Sequence, residues 1–293
     1  MAHRSWLFVP GDSPSKLAKI AGFGAHAVII DLEDSVSLDR KPVARDTTQA
    51  FLNSWETQAD APALYVRVNG LTTGMTRDDL AAAISPSTTG IMLPKAEGGP
   101  SVGELAAMCR VAEAHASLPD GQTKIIAIAT ETARGVSNAG TYGDCSPRLK
   151  ALAWGAEDLS ADIGAHFARD ATGQFTPLFA YARTMVLLGA SAAGVSAIDG
   201  IYAEFKDEAG LRSECLEALR DGFTGKMAIH PAQIAVINAA FTPSPTAVAR
   251  ARDIITAFAS AGDVGVINLG GRMLDLPHLK LAQRVLDQAN HSK

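Results

Sequence analysis

The stretch AVIIDLE, residues 27–33, decides the reading of the fold. Its apolar run has no polar alternation, as expected of a parallel strand covered by helices on both faces, and it ends in acids. Seven further stretches share this character: SWLFVP (5–10), LYVRVN (64–69), GIMLPK (90–95), KIIAIATE (124–131), ALAWGAE (151–157), AIDGIY (197–202) and KMAIH (226–230). Helical patterns fill the intervals at 14–23, 41–55, 102–116, 177–188, 210–222 and 231–240, and Gly and Asn punctuate the joins. Eight strand-then-helix units in roughly 240 residues predict an α/β chain folded as a (β/α)8 barrel, whose usual size is about 250 residues. The competing architecture is an open doubly wound sheet, but no GxGxxG fingerprint follows the first strand.

The barrel is expected to occupy residues 1–242, and residues 243–293 form an appendage. There TPSPTAVARARDIITAFASAG (242–262) predicts a Pro-started amphipathic helix, VGVINLGGRMLDLP (264–277) two short strands about a Gly-Gly turn, and HLKLAQRVLDQA (278–289) a last helix. Such a piece suits a lid, or an arm that reaches a neighbouring subunit.

Composition excludes several classes. The chain has 293 residues, 47% apolar and 19% charged, with a net charge of −5. It has no basic arm or Lys/Arg cluster for a nucleic acid. No stretch approaches the roughly 20 apolar residues of a membrane span, and the opening MAHRSWLFVPGD has too short an apolar run for a signal peptide. Cys109, Cys145 and Cys215 are far apart and form no CxxC pair, as expected of reduced thiols in the cytoplasm.

In this fold the chemistry sits at the C-terminal ends of the strands. Those ends carry Asp12, then Asp31, Glu33 and Asp34, then Arg67 and Asn69, then Lys95, Glu131, Glu157 with Asp158, Asp199, and His230-Pro231. Carboxylates converging on one mouth repel each other unless a cation intervenes, and oxygen ligands suit Mg²⁺ or Mn²⁺. Glu131 and Asp158, each just past an apolar strand, are the best pair; alternatively they cap the following helices. Arg67, on an otherwise apolar strand, either pairs with Asp31 or Asp34 or clamps a substrate carboxylate or oxyanion. His230 reads as structural or catalytic, and Lys95 as an ion-pair partner or, less favoured, a Schiff-base lysine. No Ser-His-Asp order or GxSxG elbow is present.

The motifs RSWLFVPGD (4–12), AVIIDLEDSV (27–36), DRKPVAR (39–45), YVRVNG (65–70), GIMLPKAE (90–97), ETARGV (131–136), WGAEDLSADIG (154–164), GKMAIHPAQI (225–234), FTPSP (241–245) and GGRMLDLP (270–277) run in order almost end to end. In them the chain resembles the citrate lyase β-subunit-like group of the HpcH/HpaI aldolase superfamily, which includes malyl-CoA and citramalyl-CoA lyases. The resemblance implies a trimer or hexamer of (β/α)8 barrels with Mg²⁺ at the mouth, held by Glu131 and Asp158. It implies a substrate-contacting role for Arg67, with Asp31, Glu33 and Asp34 around it. It also implies that Asp275 is an acid on a C-terminal lid, given to a neighbour's site. Phe8 and the segment Ile229, His230, Pro231 match regions that line the thioester carrier, coenzyme A. Leu276 stands where Arg often follows the lid acid. The implied reaction is cleavage of a 3-hydroxyacyl thioester to acetyl-CoA and a 2-oxo acid. Alternatives are condensation with thioester hydrolysis, a β subunit served by an acyl carrier protein, and a non-catalytic CoA-binding module.

Overall fold

The structure, a computed structural model, describes residues 3–56, 61–262 and 264–290. Eight parallel strands close into a barrel in chain order: β1 (Ser5–Pro10), β2 (Ala27–Asp31), β3 (Ala63–Arg67), β4 (Gly90–Leu93), β5 (Lys124–Ile128), β6 (Leu149–Ala153), β7 (Ser196–Asp199) and β8 (Gly225–Ala228). β8 returns to pair with β1, Trp6 lying opposite Met227. The helices are α1 (Pro14–Leu17), α2 (Lys41–Ser54), α3 (Thr76–Ala83), α4 (Gly99–His115), α5 (Ala133–Ser137), α6 (Glu157–Ile163), α7 (Pro177–Ala192), α8 (Glu208–Asp221) and α9 (Gln233–Ala240).

Alternate residues of each strand serve two cores. Trp6, Ile29, Tyr65, Met92, Ile126, Ile128, Ile198 and Met227 fill the barrel interior, with Ala151 and Ala153 as the small members on β6. Leu7, Val9, Val28, Ile30, Leu64, Val66, Ile91 and Leu152 face outward and pack beneath the helices. Because both faces are covered, these strands show no polar alternation.

The eight-stranded barrel agrees with the sequence reading, whereas several boundaries differ. Most strands stop two to four residues earlier than expected, so that Glu33, Asn69, Lys95 and Glu131 lie on the loops of the mouth, and Glu157 opens α6, rather than lying in the sheet. Strand β6 starts at Leu149, and residues 14–23 divide into α1 and a 3₁₀ turn at Ile20–Phe23. Helices α3, α5 and α6 were not anticipated. The seventh strand end also requires correction, because Asp199 faces the helices. Its carboxylate lies 2.7 Å from Lys226 Nζ and 2.9 Å from Arg183 Nε, and accepts from Trp154 Nε1 at 2.8 Å. Burial alone would raise its pKa, but the charges of Lys226 and Arg183 hold it below the usual range.

Beyond the barrel, α10 (Pro245–Ala261), a hairpin of β9 (Val266–Leu269) and β10 (Arg272–Asp275), and α11 (Leu276–Asn290) form the expected helix–hairpin–helix. Gly270 and Gly271 both take positive φ in the two-residue hairpin turn, the conformation that favours glycine there. Ala251, Ile254, Phe258, Leu274 and Ala282 build a cluster of their own in this unit. Among the described residues, no helix is long and apolar enough to cross a membrane.

The opposite end of the barrel carries a closed ionic cluster. Arg148, just before β6, grips Glu113 of α4 through two bonds of 2.7 and 2.6 Å, and Glu113 also accepts from the backbone N–H groups of Thr123 and Gly121. Burial would push the Glu113 carboxyl up, yet these hydrogen bonds pull it down to about 2. A depressed folded-state pKa adds stability above the unfolded value and loses it as pH falls. Glu113→Gln is therefore expected to cost about 3 kcal/mol, the lower end for a broken buried pair. In thermal melts the gap to the parent chain should stay constant above about pH 5.5 and close as pH falls from about 4.5 towards 2. A gap that does not change with pH would show that the pair contributes no ionic stabilisation.

Candidate active site at the barrel mouth

Strands β2 and β3 are neighbours in register, with Asp31 opposite Arg67 at their C-terminal ends. The pairing puts a carboxylate beside a guanidinium on the inward face. Arg67 Nε and Nη2 reach the two Asp31 oxygens at 2.7 and 2.8 Å, a bidentate fork. Asp31 also accepts from the N–H groups of Glu33 and Ser35, so the same side chain folds its own loop. Arg67 Nη1 lies 2.8 Å from Glu33 Oε2 and 3.5 Å from Asp34. That Glu33 oxygen is buried and makes no hydrogen bond, because Nη1 approaches it off the bonding direction. Burial opposes the charge on Arg67, and the hydrogen bonds and charges of Asp31 and Glu33 more than restore it. The Phe8 ring lies 4.9 Å below the guanidinium, as part of the barrel interior.

Glu131 and Asp158 come together at the ends of β5 and β6. Thr132, not Glu131, is the N-cap of α5, its hydroxyl accepting from Gly135 N–H, whereas Asp158 lies in the first turn of α6, as the helix-terminus alternative expected, without making a capping hydrogen bond. Glu131 is buried, and Gly155 makes room for it, since a Cβ there would stand 3.1 Å from the Glu131 Cγ. Burial, with the charges of Glu33 and Asp158, pushes the Glu131 carboxyl up to about 8, against the pull of the Lys95 N–H and Arg67. Such a group is short of positive charge.

Lys95 joins the two halves of the mouth and had been read only as an ion-pair or Schiff-base candidate. Its N–H donates to Glu131 Oε2 at 2.5 Å, and its Nζ lies 2.5 Å from Glu33 Oε1 and 3.2 Å from Asp158 Oδ1. Burial opposes its charge, but Glu33, Glu131 and Asp158 hold its pKa above the ordinary lysine value. A firmly protonated ammonium is a poor Schiff-base nucleophile. The position LPK at a strand end was a visible signal of its place in the mouth.

The donor set fits a hard divalent cation. Five carboxylates (Asp31, Glu33, Asp34, Glu131, Asp158) share the cations Arg67 and Lys95, with the charge of buried Lys41 acting on the first three. With Asp31 and Glu33 tied to Arg67 and Lys95, Asp34, Glu131 and Asp158 are the acids less fully paired, and Glu131 with Asp158 could hold such a divalent cation. Among the described residues, no group of three or more His, Cys, Asp or Glu side chains could hold a metal by itself. Two carboxylates with water and substrate completing the shell is the usual arrangement for Mg²⁺.

The other residues singled out in the sequence lie away from this network. Ile229 and His230 are exposed on the turn after β8, and the buried Gln233 side chain accepts from both their N–H groups. His230 stacks on Phe205, with centroids 4.6 Å apart, and helps line a cavity of about 280 Å³ with Lys206, Leu211 and Val236. Phe8 does not line that cavity. Asp275 is half-exposed, and its carboxylate lies 2.5 Å from His278 Nδ1. The His278 hydrogen bond holds its pKa below the usual range. Among the described residues, no hydrogen bond or ion pair links Asp275 to the mouth.

The HpcH/HpaI aldolase/citrate lyase family matches residues 4–231. The chain is 35% identical to the citrate lyase subunit beta of Leuconostoc mesenteroides subsp. cremoris, over 98% of this chain and 93% of that protein. It is 34% identical to a (3S)-malyl-CoA thioesterase of Cereibacter sphaeroides (99% and 97%) and 32% identical to the mitochondrial citramalyl-CoA lyase of Rattus norvegicus (99% and 87%). Among solved structures, CitE of Mycobacterium tuberculosis in complex with magnesium, acetoacetate and coenzyme A superposes with a TM-score of 0.78 at 34% identity, covering 99% of this chain and 98% of that one. The match spans the barrel from Arg4 to Pro231, and with it the charged mouth, so this chain belongs to the HpcH/HpaI aldolase/citrate lyase family.

Proposed function

We propose that the chain is a Mg²⁺-dependent carbon–carbon lyase that cleaves a 3-hydroxyacyl-CoA thioester, of the malyl-, citramalyl- or citryl-CoA type, to acetyl-CoA and a 2-oxo acid. The observation that carries the reading is the split of the mouth acids into two sets. Asp31 and Glu33 are bound up with Arg67 and Lys95, whereas buried Glu131 is held by the Lys95 backbone N–H and Asp158 has only a share of the Lys95 ammonium among the described residues. Family membership makes the activity aldolase-type, and relatives carry magnesium with acetoacetate and coenzyme A, or with oxaloacetate.

Glu131 and Asp158 would hold the metal. Bound Mg²⁺ would supply a Lewis acid that polarises the hydroxyl and carboxylate oxygens of the substrate. Arg67, locked in one orientation by Asp31, neutralises charge on the hydroxyl oxygen as it becomes a carbonyl. The hydroxyl proton passes to solvent water, the carbon–carbon bond breaks, and its electron pair passes into the thioester as an enolate. The Asp275 carboxylate takes a proton from the acetyl carbon in the condensation direction; in cleavage it picks up a proton from solvent and delivers it to the enolate carbon. It does so from a neighbouring subunit, in a homotrimer or hexamer, with residues 243–293 acting as the lid. Phe8 forms the floor beneath Arg67, and Ile229, His230 and Pro231 border the carrier. A second reading, condensation followed by thioester hydrolysis, draws support from the similarity to the malyl-CoA thioesterase. A screen of the three thioesters with Mg²⁺ that follows 2-oxo acid and free thiol separately distinguishes the two.

Metal removal is the first test. EDTA should abolish cleavage and Mg²⁺ or Mn²⁺ restore it, while Glu131→Ala and Asp158→Ala stay folded and inactive. Full activity in metal-free protein would overturn the reading. Arg67 is tested by a charge-preserving change. Arg67→Lys keeps the cation but loses the planar fork, so turnover should fall on the order of 10²-fold, as for loss of an oxyanion donor. Were Arg67 only an ion-pair partner, the melting temperature would drop and turnover per folded molecule would hold.

Asp275 is tested by complementation. Asp275→Asn alone should lose cleavage and solvent-hydrogen exchange into acetyl-CoA while still binding metal. Mixed with Glu131→Ala chains, it should regain activity after subunit exchange, because some mixed oligomers contain a site with both native acids. No recovery, with exchange confirmed by native mass spectrometry, excludes action across subunits.

A further inference from the structure

We propose that Lys95 is a positioning residue that sets the affinity of the metal site, its backbone holding one ligand in place and its ammonium competing with the metal for the other. The inference rests on the assignment of Glu131 and Asp158 as the metal ligands. Lys95 touches both of them in different ways. The main-chain N–H donates to Glu131 Oε2 at 2.5 Å, and the side-chain Nζ stands 3.2 Å from Asp158 Oδ1. The remaining contacts of Nζ are with Glu33 at 2.5 Å and Asp34 at 3.8 Å.

The backbone of Lys95 is itself unusual. Its φ is +51°, in the left-handed region that side-chain-bearing residues rarely adopt. A non-glycine residue stays in that conformation when its surroundings over-determine it, and such positions gather at functional sites. Here the turn aims the N–H at Glu131 and carries the side chain across the mouth to Asp158. Glycine at this position would be easier for the backbone and would keep the N–H. What glycine would lose is the ammonium.

A positive charge next to a metal ligand has a definite sign. The ammonium screens Asp158 from Glu131 and Glu33, and it repels an arriving divalent cation. With its side chain about one-third exposed, Lys95 can swing from Asp158 onto Glu33 and Asp34 as the cation enters. The site then binds its metal only as tightly as this competition permits. Removing the ammonium should tighten binding. For two charges a few ångströms apart at the protein surface, the Coulomb energy corresponds to about tenfold or more in affinity.

The experiment titrates the full-length chain with Mn²⁺ alone, without substrate, and follows free Mn²⁺ by electron paramagnetic resonance. Lys95→Met and Lys95→Gly should each bind Mn²⁺ at least about tenfold more tightly than the parent. Lys95→Arg, which keeps the charge, should stay within about threefold of the parent, well short of the Coulomb effect. If Lys95 merely props up the mouth, its loss weakens or does not change Mn²⁺ binding; either result in both variants overturns the inference. Lys95→Gly guards against misfolding, since it relaxes the left-handed turn. Glu131→Ala separates this idea from the assignment it rests on. If that variant binds Mn²⁺ like the parent, the metal-site assignment fails. If it loses binding while the Lys95 variants do not gain, only the role of Lys95 fails.

Discussion

A guanidinium on an otherwise apolar strand is the constraint from which the mouth follows. Arg67 ends β3 with its side chain largely out of water. A charge so placed is costly unless fully paired. Asp31, its neighbour in register on β2, supplies two oxygens, and Glu33 adds a third contact. Glu33, buried in turn, needs the Lys95 ammonium, and Lys95 reaches on to Glu131 and Asp158. Acid and base thus alternate across five strand ends, each member orienting the next. This preorganisation is what an electrostatic catalyst requires, because dipoles and charges are already aimed before substrate arrives.

Comparison with two further ionic networks separates stability from chemistry. Behind β7 and β8, Asp199 is satisfied by Lys226, Arg183 and Trp154, and at the far end of the barrel Glu113 is satisfied by Arg148 and two backbone N–H groups. Both hold their carboxyl below the usual range. In the mouth, Glu131 is instead pushed up to about 8. Groups perturbed in this direction by burial and like charge, in a concave site, mark function rather than scaffolding.

Much of this was legible in the residues. The doubly covered strands show as apolar runs, and the acids and Arg67 at their ends mark the mouth. The boundaries were less legible, because apolar character continues past the last ladder bond, as in Ala129 after β5 and Trp154 after β6. Helices α5 and α6 span five and seven residues, too short for a helical period to register. Asp199 could have been placed correctly by parity, since Ile198 is the inward residue of β7 and its neighbour must face the helices. The reach of Lys95 could not, because it depends on a left-handed backbone angle that the letters LPKAE do not encode. The partner of Asp275 lay nearby in sequence, at His278, three residues on.

The helix–hairpin–helix at the C-terminus keeps its apolar residues to itself, in a cluster distinct from the two cores of the barrel. Its contacts are local in sequence, a pattern that favours rapid folding. Its stability is therefore drawn from a separate cooperative unit, and local opening of such a unit need not disturb the rest. Mild heat or denaturant can release the segment that bears Asp275 while the barrel, with Arg67 and the paired acids, remains intact. Opening of the C-terminal unit and unfolding of the barrel then become two distinct transitions in one chain.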